Sequence, residues 1–244
     1  MSKEELTLER VVKVFEESWK ELEKEYPDAR MVSTFCSEAD VELHFARKLL
    51  KKLPSNIVHI EFPIPLEVER LGRELFFGGR VSMKRCIKPD IVLIDPLVPE
   101  FFVIAELKFT PIYWAYMPLY LATEKELDKE TVETLKEALK KDIHYFERVR
   151  QEEPTQAEIE KMYFGVDKRG QSKVEKLIAI LNDFEIKEQQ TVVGYLCVID
   201  EIYPNIQEIL RKTIKQYDPR GRFKVLAYHF PAYESLVKTL EKLE

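Results

Sequence analysis

Apolar residues at Leu8, Val11, Val12, Phe15, Trp19 and Leu22 recur at three- and four-residue steps and predict an amphipathic helix over 6–22. Ser2 and Glu5 have the spacing of a capping box ahead of it. A second stripe, Val41, Phe45, Leu49 and Leu53, follows Ser37-Glu38-Ala39-Asp40 and stops at Pro54, so a second helix is expected there. The pattern then turns strand-like. A strand is expected over 57–62, with Pro63 and Pro65 interrupting its pairing, and a strand-and-turn region over 66–81. Two apolar runs come next, Ile91-Val92-Leu93-Ile94 and Phe101-Phe102-Val103-Ile104, joined by a short stretch holding Pro96 and Pro99. Such a pair reads as an antiparallel hairpin of buried strands.

Beyond the hairpin, Tyr113, Trp114, Tyr116 and Tyr120 lie around Pro111 and Pro118 and read as an irregular aromatic insertion. Thr123 with Glu126 is expected to open a long helix reaching about Arg150, its stripe formed by Leu127, Val132, Leu135, Leu139, Ile143, Phe146 and Val149. After Pro154, Thr155 with Glu158 and Ser172 with Glu175 look like two further capping boxes. A strongly apolar strand is expected over 191–199, a helix near 205–216 after Pro204, a strand over 223–230 and a terminal helix from Pro231. No internal repeat or linker divides the chain, so one domain over 1–244 is expected, with a core of about 37–199. The first helix, the helices of 151–190 and the last strand and helix are then additions.

Composition narrows the class. A chain of 244 residues, 45% hydrophobic and 34% charged, can bury a sizeable core and is not a disordered composition. No apolar run is long enough for a membrane span and the N-terminus does not resemble a signal peptide, so a cytoplasmic protein without a membrane partner is expected. Cys36, Cys86 and Cys197 suggest neither a disulfide framework nor a zinc knuckle. A net charge of −6 argues against nonspecific nucleic-acid binding through bulk charge and leaves room for a local basic face.

The candidate chemistry lies at the ends of the hairpin, in Lys88-Pro89-Asp90 and Ala105-Glu106-Leu107-Lys108. With the turn centred near Val98, Asp90 and Glu106 fall opposite each other, each eight residues from the centre. Strand side chains alternate, so Glu106 and Lys108 share a face and Leu107 takes the other. Two carboxylates and an ammonium thus converge on one patch. Charges at the end of such apolar runs need partners or a metal. The plain alternative is a cross-strand ion pair of little energetic weight.

Pro-Asp followed by Glu-x-Lys on two adjacent strands resembles the signature of the PD-(D/E)xK, or restriction-endonuclease-like, nuclease superfamily. The resemblance implies an α/β fold with an α-β-β-β-α-β core, a mixed central sheet flanked by helices, plus extra helices. It implies a metal-dependent phosphodiester hydrolase in which Asp90, Glu106 and the Leu107 carbonyl hold Mg²⁺ (Mn²⁺ as an alternative) and Lys108 is the catalytic lysine. A further carboxylate from the preceding helix often joins such a site. Glu42, beside the buried stripe, is preferred for it over Glu38, which the helix dipole alone would favour near the N-terminus.

Lys84, Arg85 and Lys88, with Arg80, are candidates for contacting phosphates. Lys141, Asp142, Tyr145 and Arg148 on the long helix either face the site or form a solvated surface. The basic loops Lys168-Arg169 and Arg220 with Arg222 read as solvated, and His44, His59, His144 and His229 have no zinc-like spacing. The leading expectation is a nuclease acting on DNA, with a homodimer left open. The alternatives are an RNA-processing nuclease and an inactive nuclease fold serving as a nucleic-acid-binding or assembly module.

Overall fold

A computed structural model describes residues 6–31, 37–65, 86–94, 101–111, 128–166, 170, 172–187 and 191–243. The expected segment at 66–81, the aromatic insertion, Arg80, Lys84, Arg85, Lys168 and Arg169 lie outside these residues, as do Ser2, Glu5, Thr123 and Glu126.

The molecule is α/β. Among the described residues, its main sheet has five strands in the order β1 (Val58–Ile60), β4 (Ile91–Ile94), β5 (Phe101–Thr110), β6 (Thr191–Asp200) and β7 (Phe223–His229). β4 runs antiparallel to both of its neighbours, β1 and β5, whereas β6 runs parallel to β5 and β7 parallel to β6. A separate two-stranded piece pairs β2 (Ile64–Pro65) with β3 (Cys86–Ile87), so Pro65 takes part in pairing, contrary to expectation. A two-residue ladder tolerates this because proline lacks only the donor.

The strict alternation along the strands builds two cores. Odd positions of the central strands (Ile91, Leu93, Val103, Ala105, Leu107, Tyr195, Cys197, Ile199) face α1 (Leu8–Met31) and α2 (Glu38–Leu50). Even positions (Val92, Ile94, Ile104, Leu196, Val198) face α4 (Gln156–Tyr163), α5 (Lys173–Lys187) and α6 (Ile206–Tyr217). Both faces of the sheet are therefore covered, which is why these strands read as unbroken apolar runs. Helix α1 runs nine residues past the expected end at 22, through Pro27, as buried Tyr26 extends the stripe of Val11, Phe15, Trp19 and Leu22. Helix α2 starts where expected, with the Ser37 side chain accepting from the Asp40 N–H at 3.2 Å.

Two expectations are corrected. The long helix α3 (Lys129–Gln151) is capped by Asp128, whose side chain accepts from the Thr131 N–H at 2.8 Å. It packs on α7 (Ala232–Leu243) in a small satellite core around Leu139, Phe146, Ala232 and Leu236. The helix that lies on the sheet between β5 and β6 is α5, where the sequence pattern predicts α3. The physical reason is the width of the apolar face. Val174, Leu177, Ile178, Ile180 and Leu181 give α5 a broad buried surface, whereas only Leu139 and Phe146 of α3 are fully covered. The last strand is likewise no addition, since β7 is the fifth strand of the main sheet and carries α6 against it.

Candidate functional site

The β4–β5 ladder pairs Ile91 with Ala105, and the next step along it places Asp90 opposite Glu106. There the two strands part. Beyond this point β5 continues to Thr110 alongside β6, without β4. The Asp90 side chain takes over the vacated ladder position, its Oδ2 accepting from the Leu107 N–H at 2.6 Å. On its other side the Asp90 carbonyl accepts from the Glu61 N–H at 3.0 Å, so the residue is fastened to both neighbouring strand ends. The N–H and C=O of a strand residue point to the same edge, and the Leu107 carbonyl therefore opens on the same gap. Its side chain is fully buried in the core under α1 and α2.

Among the described residues, the carboxylates of Glu38, Asp90 and Glu106 and the ammoniums of Lys108 and Lys173 meet in this gap. Glu106 is only 1% exposed. Its Oε1 lies 3.0 Å from Lys108 Nζ, and its Oε2 lies 2.6 Å from Lys173 Nζ. Both contacts are close ion pairs. Lys108 Nζ also reaches Glu38 Oε1 at 2.9 Å, and Lys173 Nζ reaches Asp90 Oδ1 at 3.1 Å. Charges thus alternate along a chain from Glu38 through Lys108, Glu106 and Lys173 to Asp90. Glu42 stands beside it in the field of Asp90, Glu61 and Glu38, with Lys173 opposing them, and its buried Oε1 has no hydrogen-bond partner among the described residues. Glu61 adopts φ +48°, a backbone conformation uncommon outside glycine.

Electrostatics follow from this crowding. Burial, reinforced by Asp90, raises the Glu106 carboxyl to about 7 against the pull of Lys108 and Lys173. Burial, with Asp90, Glu61 and Glu38, raises Glu42 to about 7 as well. Burial alone would depress the Lys108 ammonium, but Glu106 and Glu38 outweigh it and hold its pKa above the ordinary value. A region that pushes two carboxyls upward and a lysine upward carries surplus negative charge.

The candidate residues are distributed as follows. Asp90, Glu106 and Lys108 come together with both Glu38 and Glu42, which divide the helix's contribution: Glu38 pairs with Lys108, and Glu42 offers an unpaired oxygen. Lys88 is exposed two residues before Asp90. Tyr145 is 51% exposed with the Arg148 guanidinium over its ring at 5.7 Å, on a helix whose packing partner is α7. These two side chains form a solvated surface. Arg222 serves the fold by donating to Asn182 Oδ1 and to the Leu181 carbonyl. Among the described residues, no three His, Cys, Asp or Glu side chains are placed to hold a metal ion as they stand, and two lysine ammoniums are interleaved with the acids.

Lys173 and Glu61 escaped the sequence reading. Lys173 is the first residue of α5, next to Ser172, whose Oγ accepts from the Glu175 N–H at 3.2 Å. A cation in the first turn opposes the helix dipole, and that misplaced charge is the one signal the sequence carried. Comparison with protein-family models, with curated proteins and with solved structures gives no match to this chain.

Proposed function

We propose that this chain is a Mg²⁺-dependent nuclease of the restriction-endonuclease-like type, acting on DNA. The observation that carries this reading is the convergence of Asp90 and Glu106 on a single cationic point, 3.1 and 2.6 Å from Lys173 Nζ. Two hard oxygen donors aimed at one point, in a cluster richer in carboxylates than in ammoniums, suit Mg²⁺, which takes one or two carboxylates and keeps several waters. Glu42 has a free buried oxygen to add, and the Leu107 carbonyl borders the same gap. When bound, Mg²⁺ supplies an acidified water and neutralises phosphate charge.

The remaining chemistry belongs to the chain. Lys108, held between Glu106 and Glu38, presents an ammonium that can orient the attacking water and stabilise charge growing on the phosphate. Exposed Lys88, with Lys84 and Arg85 before it in sequence, offers phosphate contacts that position the backbone without reading bases. The fold supports the same reading. With β2, β3, α3 and α4 taken as insertions, the succession α2, β1, β4, β5, α5 and β6, in which β4 is antiparallel to β1 and β5 and β6 is parallel to β5, is compatible with an α-β-β-β-α-β core.

The test is a cleavage assay on plasmid, single-stranded DNA and RNA with Mg²⁺, Mn²⁺ or EDTA, run beside Asp90→Ala and Glu106→Ala. DNA cleavage that needs the metal and is lost in both variants is the expected result. Cleavage confined to RNA would reassign the substrate. Nucleic-acid binding with no cleavage under any metal would make the protein a binding or assembly module.

A further inference from the structure

We propose that Lys173 is the resident cation of the acidic site, and that a divalent ion enters by displacing its ammonium from Asp90 and Glu106. The inference builds on the metal-site reading above and adds a residue outside the Pro-Asp and Glu-x-Lys pattern.

Three observations converge on it. Lys173 Nζ touches the two candidate ligands at once, at 2.6 Å to Glu106 Oε2 and 3.1 Å to Asp90 Oδ1. A cation bound by the same oxygens therefore has to occupy space already held by the ammonium. The position of Lys173 is also costly for its own helix, since a positive charge in the first turn of α5 opposes the macrodipole. What offsets that cost is the acid cluster, and the backbone aims the side chain at it. The Lys173 N–H donates to the carbonyls of Phe164 and Gly165 at 3.0 and 3.2 Å, closing a turn in which Gly165 has φ +63°. Finally, an exit exists. The Lys173 side chain is 28% exposed while Glu106 is 1% exposed, so the ammonium can swing to water and leave Glu106 behind. Lys108 is more deeply set at 13% exposure and has Glu38 as a second partner, so it stays when Lys173 leaves.

Lys173 is thus a positioning residue. It keeps Asp90 and Glu106 together against their mutual repulsion until a divalent ion takes its place, and it lowers the apparent metal affinity by competing for the same oxygens.

The experiment is calorimetric titration of the full chain with Mg²⁺ and with Mn²⁺, comparing wild type, Lys173→Met and Lys173→Arg, alongside thermal melts with and without the ion. Lys173→Met keeps the aliphatic stem and removes the charge. It is expected to melt lower than wild type without metal, to bind Mg²⁺ on the order of tenfold more tightly, and to regain its melting temperature when Mg²⁺ is added. Lys173→Arg is expected to stay close to wild type. Should Lys173→Met fail to fold, the wild-type protein answers directly. Acetylation of its lysines, mapped by mass spectrometry, should find Lys173 more reactive with Mg²⁺ than without. Equal or weaker metal affinity in Lys173→Met, or unchanged reactivity of Lys173 under saturating Mg²⁺, overturns the displacement and leaves the metal site standing. Absence of Mg²⁺ and Mn²⁺ binding in every variant overturns both.

Discussion

At the scale of single residues, the site's chemistry turns on which charge faces which. Lys108 contacts Glu106 and Glu38, and these two carboxylates outweigh the burial that would otherwise favour losing its proton. Its expected role is charge stabilisation, so Lys108→Ala should lower turnover by roughly two orders of magnitude or more while leaving Mg²⁺ affinity largely intact. Lys108→Arg should restore only part of the rate, because a planar guanidinium does not reproduce the compact ammonium. Parallel measurement of turnover and Mg²⁺ binding checks both, and unchanged cleavage by the alanine variant would remove Lys108 from the mechanism. The sharing of a face by Glu106 and Lys108 was legible because the strand period is two. Lys173 was not, since its partner Asp90 lies 83 residues away and no local rule encodes that contact.

At the scale of elements, the position of α5 decides where Lys173 arrives, and Gly194 sets that position. Gly194 lies on β6 between Ile104 of β5 and Phe223 of β7. A methyl group there would collide with the Phe223 ring and come within 2.6 Å of Leu181 Cδ1 on α5. Both neighbours belong to the core, so neither can move freely. Gly194→Ala should cost about 1–3 kcal/mol by overpacking, lowering the melting temperature by roughly 2–10 °C. An unchanged thermal melt would mean that the helix is not seated against this strand as described. The amphipathic stripes of α1 and α2 named their buried faces correctly because each stripe has one face to hide. For α3 and α5 the stripes alone were insufficient. A stripe states that a face is buried and leaves open which surface buries it, and the wider face of α5 won the place on the sheet.

At the scale of the whole molecule, the acid cluster couples folding to pH. Glu42 and Glu106 titrate at about 7 in the folded protein, against an ordinary value of 4.5. Between those values the folded state binds more protons than the unfolded chain, so stability falls as pH rises through the window. The metal-free protein should therefore melt at a lower temperature at pH 8 than at pH 5. Glu42→Gln should flatten the slope, and Mg²⁺ should raise the melting temperature more at pH 8. Burial of His44 lowers its pKa and works in the opposite direction over the same range, which is why the glutamine variant is the decisive comparison. A slope unaffected by Glu42→Gln would exclude the cluster as its source. No helix among the described residues is long and apolar enough to cross a membrane.

What the sequence by itself determined is the local and the periodic: two amphipathic helices ahead of a buried hairpin, its register, and the meeting of Asp90 with Glu106 and Lys108. These follow from side-chain periods and from counting along one turn. Tertiary structure alone decided three things. It chose α5 over α3 as the helix on the sheet, drew β7 into the sheet as a fifth strand, and brought Lys173 and Glu61 to the acids. Each depends on competition among apolar surfaces and on charges meeting across long stretches of chain. Only the folded chain places those surfaces and charges together.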